Sequence, residues 1–336
     1  MSTAMGVPEP GAGVAFVVEA PGMMTTLQDA GRLGQGHLGL PPSGALDGMS
    51  LGQANALVGN APKPDCQTGQ PQEFGALEIT LLGPRLRLSG GRCVVAVTGD
   101  AEVLVNGRRV ETFRALALEA GDELHVRRVL SGARAYLAVG GGFASTPFLG
   151  SVSTLVRAGV GGFDGRALEA GDRLPLSDPA AGIDHAGRVG ERHLPQREKR
   201  PVRVVLGPQS GAFSHAGITR FLTAEWTIST LADRMGYRLH GPELKSAAGH
   251  NIVSDALLTG SVQIPGDGRP IIAMHDRGTT GGYPKIATVI RADLARLGQM
   301  KPGDRLRFEA IEPAHAETLW RGRQRAFRRY LAGLAT

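Results

Sequence analysis

Cysteine, aromatic side chains and long apolar runs are all scarce in this sequence of 336 residues. Its two cysteines, Cys66 and Cys93, form no CxxC pair and have no histidine at ligand spacing, which argues against a disulfide framework and a zinc site. Cys93 lies among valines, so we expect a buried free thiol there. Aromatic residues make up 5% of the chain, too few for a base-stacking platform, and we therefore expect no nucleic-acid partner.

Targeting signals and common catalytic motifs are also missing. No stretch approaches the roughly 18 apolar residues of a membrane helix. No Lys or Arg precedes the first apolar residues, and Glu19 interrupts them, which makes a poor signal peptide. No Walker A or HExxH pattern occurs, and there is no GxSxG elbow and no GxGxxG that opens a strand–helix unit. We expect a soluble, cytoplasmic protein with no membrane association.

Glycine, in contrast, is abundant at 49 residues, about twice the average usage. The length suits roughly two domains. The net charge is +6, and five arginines are concentrated within residues 321–329. They fall largely outside an apolar stripe in the segment 314–334, a pattern typical of a helix that docks on its own protein.

One turn-and-strand element occurs three times, as LEAGDELHV at 118–126, LEAGDRLPL at 168–176 and MKPGDRLRF at 300–308. In each, a Gly-Asp turn precedes alternating apolar and polar residues, the period of a half-buried strand. Turn signals recur every eight to twelve residues, which favours a sandwich or barrel over βαβ repeats. Further alternating segments are predicted as strands at Phe16–Glu19, Leu77–Leu82, Leu86–Leu88, Val94–Thr98, Val103–Val105, Ala135–Val139 and Val202–Leu206.

Helices are predicted at three places only: Ala45–Val58, a short segment capped by Asp293, and Ala314–Leu334. The polar, proline-containing stretch 177–201 is the best candidate for a linker. We therefore predict a mainly β protein with few short helices. Its predicted parts are an N-terminal β domain at 14–180, a second β domain at 200–312 and a C-terminal helix at 313–334.

Glycine-rich polar loops are the candidate sites of chemistry. The segment DRGTTGGYPKIATV at 276–289 turns at paired glycines and runs into a β-branched strand. Its bunched donors suit a planar polar ligand or an anion; a tight turn with an Asp276–Arg277 ion pair is the alternative. The candidate residues of this segment are Asp276, Arg277, Thr279, Thr280, Gly281, Tyr283 and Lys285.

Three other polar clusters precede it. The segment 26–47 is too rich in glycine and proline to be regular throughout, and long loops inside compact domains are usually functional or disordered. A self-satisfied surface loop with an Asp29–Arg32 ion pair is the alternative there. Histidines are scattered singly, and no metal site is predicted. The candidates are Gln28, Asp29, Arg32, Ser43 and Asp47 from 26–47, Arg234 and Tyr237 from 233–241, and Gln263 and Asp267 from 260–270.

These four clusters, in this order, resemble the biotin-dependent carboxyltransferase-like family. That family includes the C subunit of bacterial 5-oxoprolinase, the KipA sporulation proteins and relatives of allophanate hydrolase and urea carboxylase. The resemblance also covers ANALVGN at 54–60, ALEITLLGP at 76–84 and YLAVGGGF at 136–143, and it extends from about Val17 to Phe308. It implies that the N-terminal domain at 14–180 and the second domain at 200–312 are cyclophilin-like β-barrels, and that the chain works with two partners, one of KipI type and one of LamB/YcsF type.

The activity implied by this resemblance is the ATP-dependent opening of 5-oxo-L-proline to L-glutamate, with ATP shared among the subunits. Phosphorylation of the lactam oxygen makes it a leaving group, and cations must hold the developing charge. Lys285, Arg277 and Arg234 are the matched cations. The carboxylates of Asp276, Asp267 and Asp47 would orient the ring nitrogen or act as bases.

Departures from the family pattern leave the substrate open. Gly278 stands where we expect glutamine, Ala232 where we expect serine, and residues 61–75 form a Pro/Gln/Gly-rich insertion. One alternative is a carboxyltransferase half that uses carboxybiotin on a urea-like amide. Another is a regulatory binder of a KipI-like kinase inhibitor. A neighbouring LamB/YcsF-type gene would favour 5-oxoprolinase, and a neighbouring biotin carboxylase gene would favour carboxyl transfer.

Overall fold

The computed structural model describes residues 13–60, 74–195, 200–247 and 249–335. Its first sheet curls because the long strands β5 and β8 pair with each other and also with shorter strands on either side. The order is β2-β3-β8-β4-β1-β9, and β5 pairs with β6, β7 and β8. The strands are β1 (Ala15–Ala20), β2 (Met24–Gln28), β3 (Ala76–Thr80), β4 (Arg85–Ser89), β5 (Cys93–Val105), β6 (Arg108–Val110), β7 (Ala115–Leu118), β8 (Glu123–Val139) and β9 (Arg173–Pro175).

The three predicted Gly-Asp turns are confirmed. Gly121, Gly171 and Gly303 all have positive φ, between 89° and 94°, which glycine adopts without strain. In each turn the following aspartate accepts a hydrogen bond from the backbone N–H three residues before it, at 2.8 to 3.0 Å. The turns lead into β8, β9 and a later strand, as the alternating pattern predicted.

The segment predicted as two strands, Val94–Thr98 and Val103–Val105, is the single strand β5. The register against β8 shifts next to Gly99, whose φ is +98°. A Cβ at Gly99 would lie 2.8 Å from the Arg134 carbonyl oxygen. The glycine therefore forms a bulge that bends the strand without ending it.

The second sheet has the order β18-β11-β12-β15-β14-β17-β10-β19, and β13 and β16 form a separate ribbon. Its core includes Trp226, Phe221 and Phe308, and the last two stack with ring centres 4.5 Å apart. The strands are β10 (Val202–Leu206), β11 (Trp226–Ala232), β12 (Gly236–His240), β13 (Asp255–Ala256), β14 (Ser261–Gln263), β15 (Ile271–Ala273), β16 (Thr280–Gly281), β17 (Lys285–Val289), β18 (Arg305–Leu306) and β19 (Phe308–Ala310).

Four α-helices complete the described chain: α1 (Gly48–Leu57), α2 (His215–Thr223), α3 (Arg291–Gly298) and α4 (Pro313–Ala335). Helices α1 and α4 match the prediction, whereas α2 was not predicted. Asp293 does not cap α3, because the N-cap residue is Ile290, whose apolar side chain accepts no hydrogen bond. The Asp293 carboxylate instead accepts hydrogen bonds from the backbone N–H and the Nε of Arg203, at 2.9 and 3.0 Å.

The predicted mainly β fold, with barrel-type sheets, few helices and a C-terminal helix, is confirmed, and the sheets are curled into nearly closed barrels. The division at 14–180 and 200–312 into separate domains stays a prediction. Cys93 is a buried free thiol as predicted, and burial raises its pKa to about 12. Cys66 and most of the 61–75 insertion lie outside the described residues. Within the described ranges, no helix is both long and apolar enough to cross a membrane.

Candidate functional site

A buried polar cluster lies where the first and second sheets meet, and we call it the junction cluster. It gathers eight of the predicted site residues together with Glu78, Arg134, Tyr136 and Gln299, which the sequence patterns did not indicate. All of these side chains are buried. The predicted members are Gln28, Asp29, Arg32, Ser43, Asp47, Arg234, Tyr237 and Asp276.

Arg234 is the centre of the junction cluster. Its Nε and Nη2 donate to the two carboxylate oxygens of Asp276, at 2.9 and 3.0 Å, and its Nη1 donates to Glu78 at 2.6 Å. Nη2 also donates to the Gly44 carbonyl oxygen at 2.8 Å. Burial by itself lowers the pKa of this guanidinium, but Glu78 and Asp276 raise it above the ordinary value. Arg234 therefore remains a cation and ties a strand of the first sheet to the loops of the second.

Glu78 has a second cation beside it, because Arg134 Nε lies 3.5 Å from its carboxylate. It also accepts hydrogen bonds from the Tyr136 hydroxyl at 2.7 Å and the Leu46 N–H at 2.8 Å. Burial raises the pKa of Glu78, whereas Arg234 and Arg134 lower it, and the pKa ends below its ordinary value. A charged residue inside the apolar run ALEIT was the available sequence signal for Glu78.

Asp276 does not form the local pair with Arg277 that the sequence suggested as an alternative. In addition to Arg234, its carboxylate accepts a hydrogen bond from the Ser43 hydroxyl at 2.6 Å. The neighbouring His275 has a buried Nδ1 with no partner in the described structure. Burial, followed by the charge of Arg234, lowers the pKa of His275 to about 4, so its ring is neutral at physiological pH.

Asp29 is held by neutral donors at the end of β2. Its carboxylate accepts hydrogen bonds from the hydroxyls of Ser151 and Ser153 at 2.7 and 2.5 Å. It also accepts hydrogen bonds from the backbone N–H groups of Gly31 and Val152, at 2.8 and 2.9 Å. The Asp29–Arg32 ion pair considered as an alternative does not form at salt-bridge distance among the described residues.

Arg32 is buried, with 1% of its surface exposed, yet few acceptors surround it. Its Nη2 donates to the Ser153 carbonyl oxygen, while Nε and Nη1 are buried and have no partner in the described part of the chain. Burial lowers the pKa of this guanidinium, and the charges of Asp29 and Asp276 act in the opposite direction. The ring of Phe148 lies 5.7 Å from its Cζ.

Asp47 is the N-cap of α1 and also contacts Gln299, the residue that follows α3. Its carboxylate accepts hydrogen bonds from the Ser50 N–H and hydroxyl, at 3.2 and 2.7 Å. It accepts a third from Gln299 Nε2 at 2.9 Å, across 252 residues of sequence. The carboxylate oxygens of Asp47 and Asp276 are thus both engaged in holding the junction.

A second site, the glycine-loop site, surrounds Lys285 at the start of β17. Lys285 is 3% exposed, and its Nζ lies 2.7 Å from a carboxylate oxygen of the half-exposed Asp255. Gln263 is opposite Lys285 in the register of β14 and β17, and its buried Nε2 has no partner in the described structure. A Cβ at Gly281 would collide with that Nε2, so a larger residue there would displace the Gln263 amide. The buried side chains of Lys285 and Gln263 are therefore neighbours across β14 and β17.

The remaining predicted residues lie around this loop or in a neighbouring turn. Arg277 donates from Nε to the Leu257 carbonyl oxygen at 2.9 Å and from Nη1 to Thr259 Oγ1 at 2.8 Å. Asp267 is exposed in a turn, where its carboxylate accepts the Arg269 N–H at 3.1 Å. The others are Thr279, which is half-buried, and Thr280 and Tyr283, which are exposed.

Together the loops form a pattern of donors that suits an anion or a polar amide. The junction cluster supplies Arg32 and the glycine-loop site supplies Lys285, Gln263 and Arg277. No group of three or more His, Cys, Asp or Glu in the described ranges is arranged to hold a metal. The individual roles of these residues stay predictions.

The chain is similar to known proteins over most of its length. A model described as carboxyltransferase domain, subdomain A and B, matches residues 38–310. The 5-oxoprolinase C subunit of Escherichia coli (strain K12) is 36% identical over 306 residues, 91% of this chain and 94% of that protein. The urea amidolyase of Lachancea kluyveri is 32% identical, over 88% of this chain and 17% of that protein. The crystal structure of the Kluyveromyces lactis urea carboxylase has a TM-score of 0.84 at 30% identity, over 95% of this chain and 29% of that chain.

Proposed function

This chain belongs to the family of carboxyltransferase domains with subdomains A and B, and from that membership we propose that it is the C subunit of an ATP-dependent 5-oxoprolinase. In this role it opens 5-oxo-L-proline to L-glutamate together with a KipI-type and a LamB/YcsF-type partner. The observation that carries the proposal is the 36% identity with a 5-oxoprolinase C subunit, which extends over 94% of that protein. The likeness to the urea enzymes is confined to one segment of much longer chains.

The hydrogen-bond partners of the site residues support different roles for the junction cluster and the glycine-loop site. Arg234 binds both Asp276 and Glu78, and Asp47 binds Ser50 and Gln299. Nearly all polar atoms of these side chains are engaged, so they position the loops. Among the described residues, Lys285 and Arg277 are less enclosed by carboxylates, because Lys285 has the half-exposed Asp255 and Arg277 donates to oxygens without charge. These two cations would hold negative charge that develops on the lactam oxygen. The exposed Asp267 stays a candidate base.

In this proposal ATP phosphorylates the lactam oxygen, water adds to the ring carbon and the C–N bond breaks, and a second water then releases phosphate from the acyl phosphate to leave glutamate. The buried donors Lys285 Nζ and Gln263 Nε2 fit an oxyanion such as a phosphoryl oxygen. The sequence contains no phosphate-binding Walker loop. ATP is therefore shared with the partner subunits in this proposal, and this chain contributes cations and substrate contacts.

A carboxyltransferase half that transfers a carboxyl group from carboxybiotin to a urea-like amide is the second candidate. The observation that favours it is the TM-score of 0.84 with urea carboxylase at 30% identity. The same cations would then hold the oxygen of the amide during carboxyl transfer.

The proposal is tested by reconstitution. We expect the purified chain alone to release no glutamate from 5-oxo-L-proline and ATP, and we expect release when both partners are added. Glutamate is measured together with phosphate release. ATP-dependent glutamate release by the single chain would contradict the proposal of a split enzyme, and no release by the full set would contradict the assignment to 5-oxoprolinase.

A further inference from the structure

Arg32 has the least satisfied buried charge in the described structure. Two of its three guanidinium nitrogens, Nε and Nη1, are buried without an acceptor. Among the described residues one other guanidinium nitrogen shares this condition, the Nε of Arg134, but it lies 3.5 Å from Glu78. A buried cation without paired acceptors is costly to the folded state, and its retention points to a ligand that supplies them.

The carboxylates near Arg32 cannot supply those acceptors in the arrangement described. Asp29 is turned toward two serine hydroxyls and two backbone N–H groups. Asp276 is turned toward Arg234 and Ser43. Both aspartates are therefore held in place by other donors, while their charges act against the lowering of the pKa of Arg32 by burial. The arrangement fixes the cation and leaves Nε on one edge of the planar guanidinium, and Nη1 on the other, without an acceptor.

Two neighbours of Arg32 are open to solvent, the loop that follows it in the chain and the side chain of Phe148. Residues 33–39 are largely exposed, and their backbone bonds run within the segment, from Leu38 to Gln35 and from Gly39 to Gly36. The base of this loop is closed by the bond from Arg32 N to the Pro42 carbonyl oxygen, at 2.7 Å. Phe148, which lies over the guanidinium, is 38% exposed. A loop with a fixed base, an exposed body and few outside contacts opens at low cost.

We propose that Arg32 is the carboxylate receptor of the site: it binds the carboxylate of an amide substrate that is also an acid, such as 5-oxo-L-proline. This inference rests on the proposed function. A planar guanidinium matches the geometry of a carboxylate, and such charge-assisted pairs are the stronger hydrogen bonds in proteins. Urea and other neutral amides have no carboxylate to pair with this guanidinium. Because Arg32 is 1% exposed, neighbouring groups must move to admit the ligand, and the partly exposed Phe148 and the exposed residues 33–39 are the candidates.

The test compares binding of 5-oxo-L-proline with binding of its neutral carboxamide, 5-oxo-L-prolinamide, to the reconstituted complex without ATP, by calorimetry. We expect the wild-type complex to bind the acid roughly 10- to 100-fold more tightly than the carboxamide, the range of hydrogen bonds to charged groups. In the Arg32→Met complex we expect this preference to disappear, with affinity for the carboxamide changed by less than about threefold. Arg157→Met, at an exposed arginine, is the matched control and should keep the preference.

Thermal melting of each variant establishes that it folds. If Arg32→Met melts early, Arg32→Lys takes its place, because lysine keeps the charge and loses the fork. A preference for the acid reduced at least about tenfold in Arg32→Lys supports the inference. An unchanged preference in either folded variant overturns it. A wild-type complex that neither binds nor opens 5-oxo-L-proline refutes the proposed function itself, so the two failures are distinguishable.

Discussion

Replacing Arg234 with methionine removes the cation that joins Glu78 of the first sheet to Asp276 of the second. Methionine keeps much of the side-chain volume, so the main loss is of charge and hydrogen bonds. Among the described residues Glu78 retains Arg134, Tyr136 and the Leu46 N–H, but Asp276 retains only the Ser43 hydroxyl. Breaking a buried ion pair from one side costs about 3–5 kcal/mol, and we expect Arg234→Met to lower the free energy of unfolding by that amount.

The pH dependence has a definite sign. The pKa of Glu78 lies below its ordinary value of 4.5 in the folded wild type, so its contribution to stability is present above that value and is lost as the pH falls. Without Arg234 the lowering is reduced, while burial continues to raise the pKa of the Glu78 carboxyl. Protonation then relieves the uncompensated charge in the variant. The difference in unfolding free energy between wild type and variant should therefore be largest near pH 7 and should shrink toward pH 4.5.

Urea unfolding, followed by fluorescence of the buried Trp226 and by circular dichroism, measures this difference. Arg166→Met is the matched control, because Arg166 is 32% exposed and forms two 2.8 Å contacts with Asp172. Water screens this half-buried pair, so we expect it to contribute less than the buried pair. If Arg234→Met costs no more than Arg166→Met at pH 7, the junction cluster does not hold the sheets together.

Three further outcomes are expected. Lys285→Met should lower turnover of the reconstituted complex on the order of a hundredfold or more while leaving its melting temperature close to that of wild type, and equal turnover would show that Lys285 has no role in the reaction. Gly99→Ala should destabilise by about 1–3 kcal/mol in urea unfolding, because of its φ of +98° and the contact with the Arg134 carbonyl, whereas Gly211→Ala, which meets no atom within 4 Å, should be near neutral. Helix α4 should bind DNA only weakly and with a steep salt dependence; tight binding to a specific oligonucleotide at physiological salt would contradict its assignment as a docking helix.

Much of the fold is predictable from local pattern. The three Gly-Asp turns, the alternating strands and α4 follow from the chemistry of short stretches of sequence. Helix α2 was missed because it is short and only Phe221 in it is buried. The continuity of β5 was missed because Gly99 reads as a break, and only the pairing with β8 identifies it as a bulge.

The candidate site was predictable in composition but not in connectivity. Polar residues in glycine-rich loops indicated most of the junction cluster. Their partners depend on contacts between distant segments, such as the 156 residues between Glu78 and Arg234. Glu78 and Arg134 lie within strands, where a charged residue is easily assigned to the solvent face. The sequence pattern also paired Asp276 with its neighbour Arg277, although Arg234 has the better geometry, with two donors for two oxygens.

The most direct test of the central claim is a comparison of two substrates by one reconstituted complex. The complex of this chain with its KipI-type and LamB/YcsF-type partners is given ATP and either 5-oxo-L-proline or urea with bicarbonate. Glutamate and phosphate release are measured with the chain present and omitted. We predict glutamate formation that depends on ATP and on this chain, with no ATP consumption stimulated by urea. Urea-stimulated turnover without glutamate formation would contradict the assignment to 5-oxoprolinase.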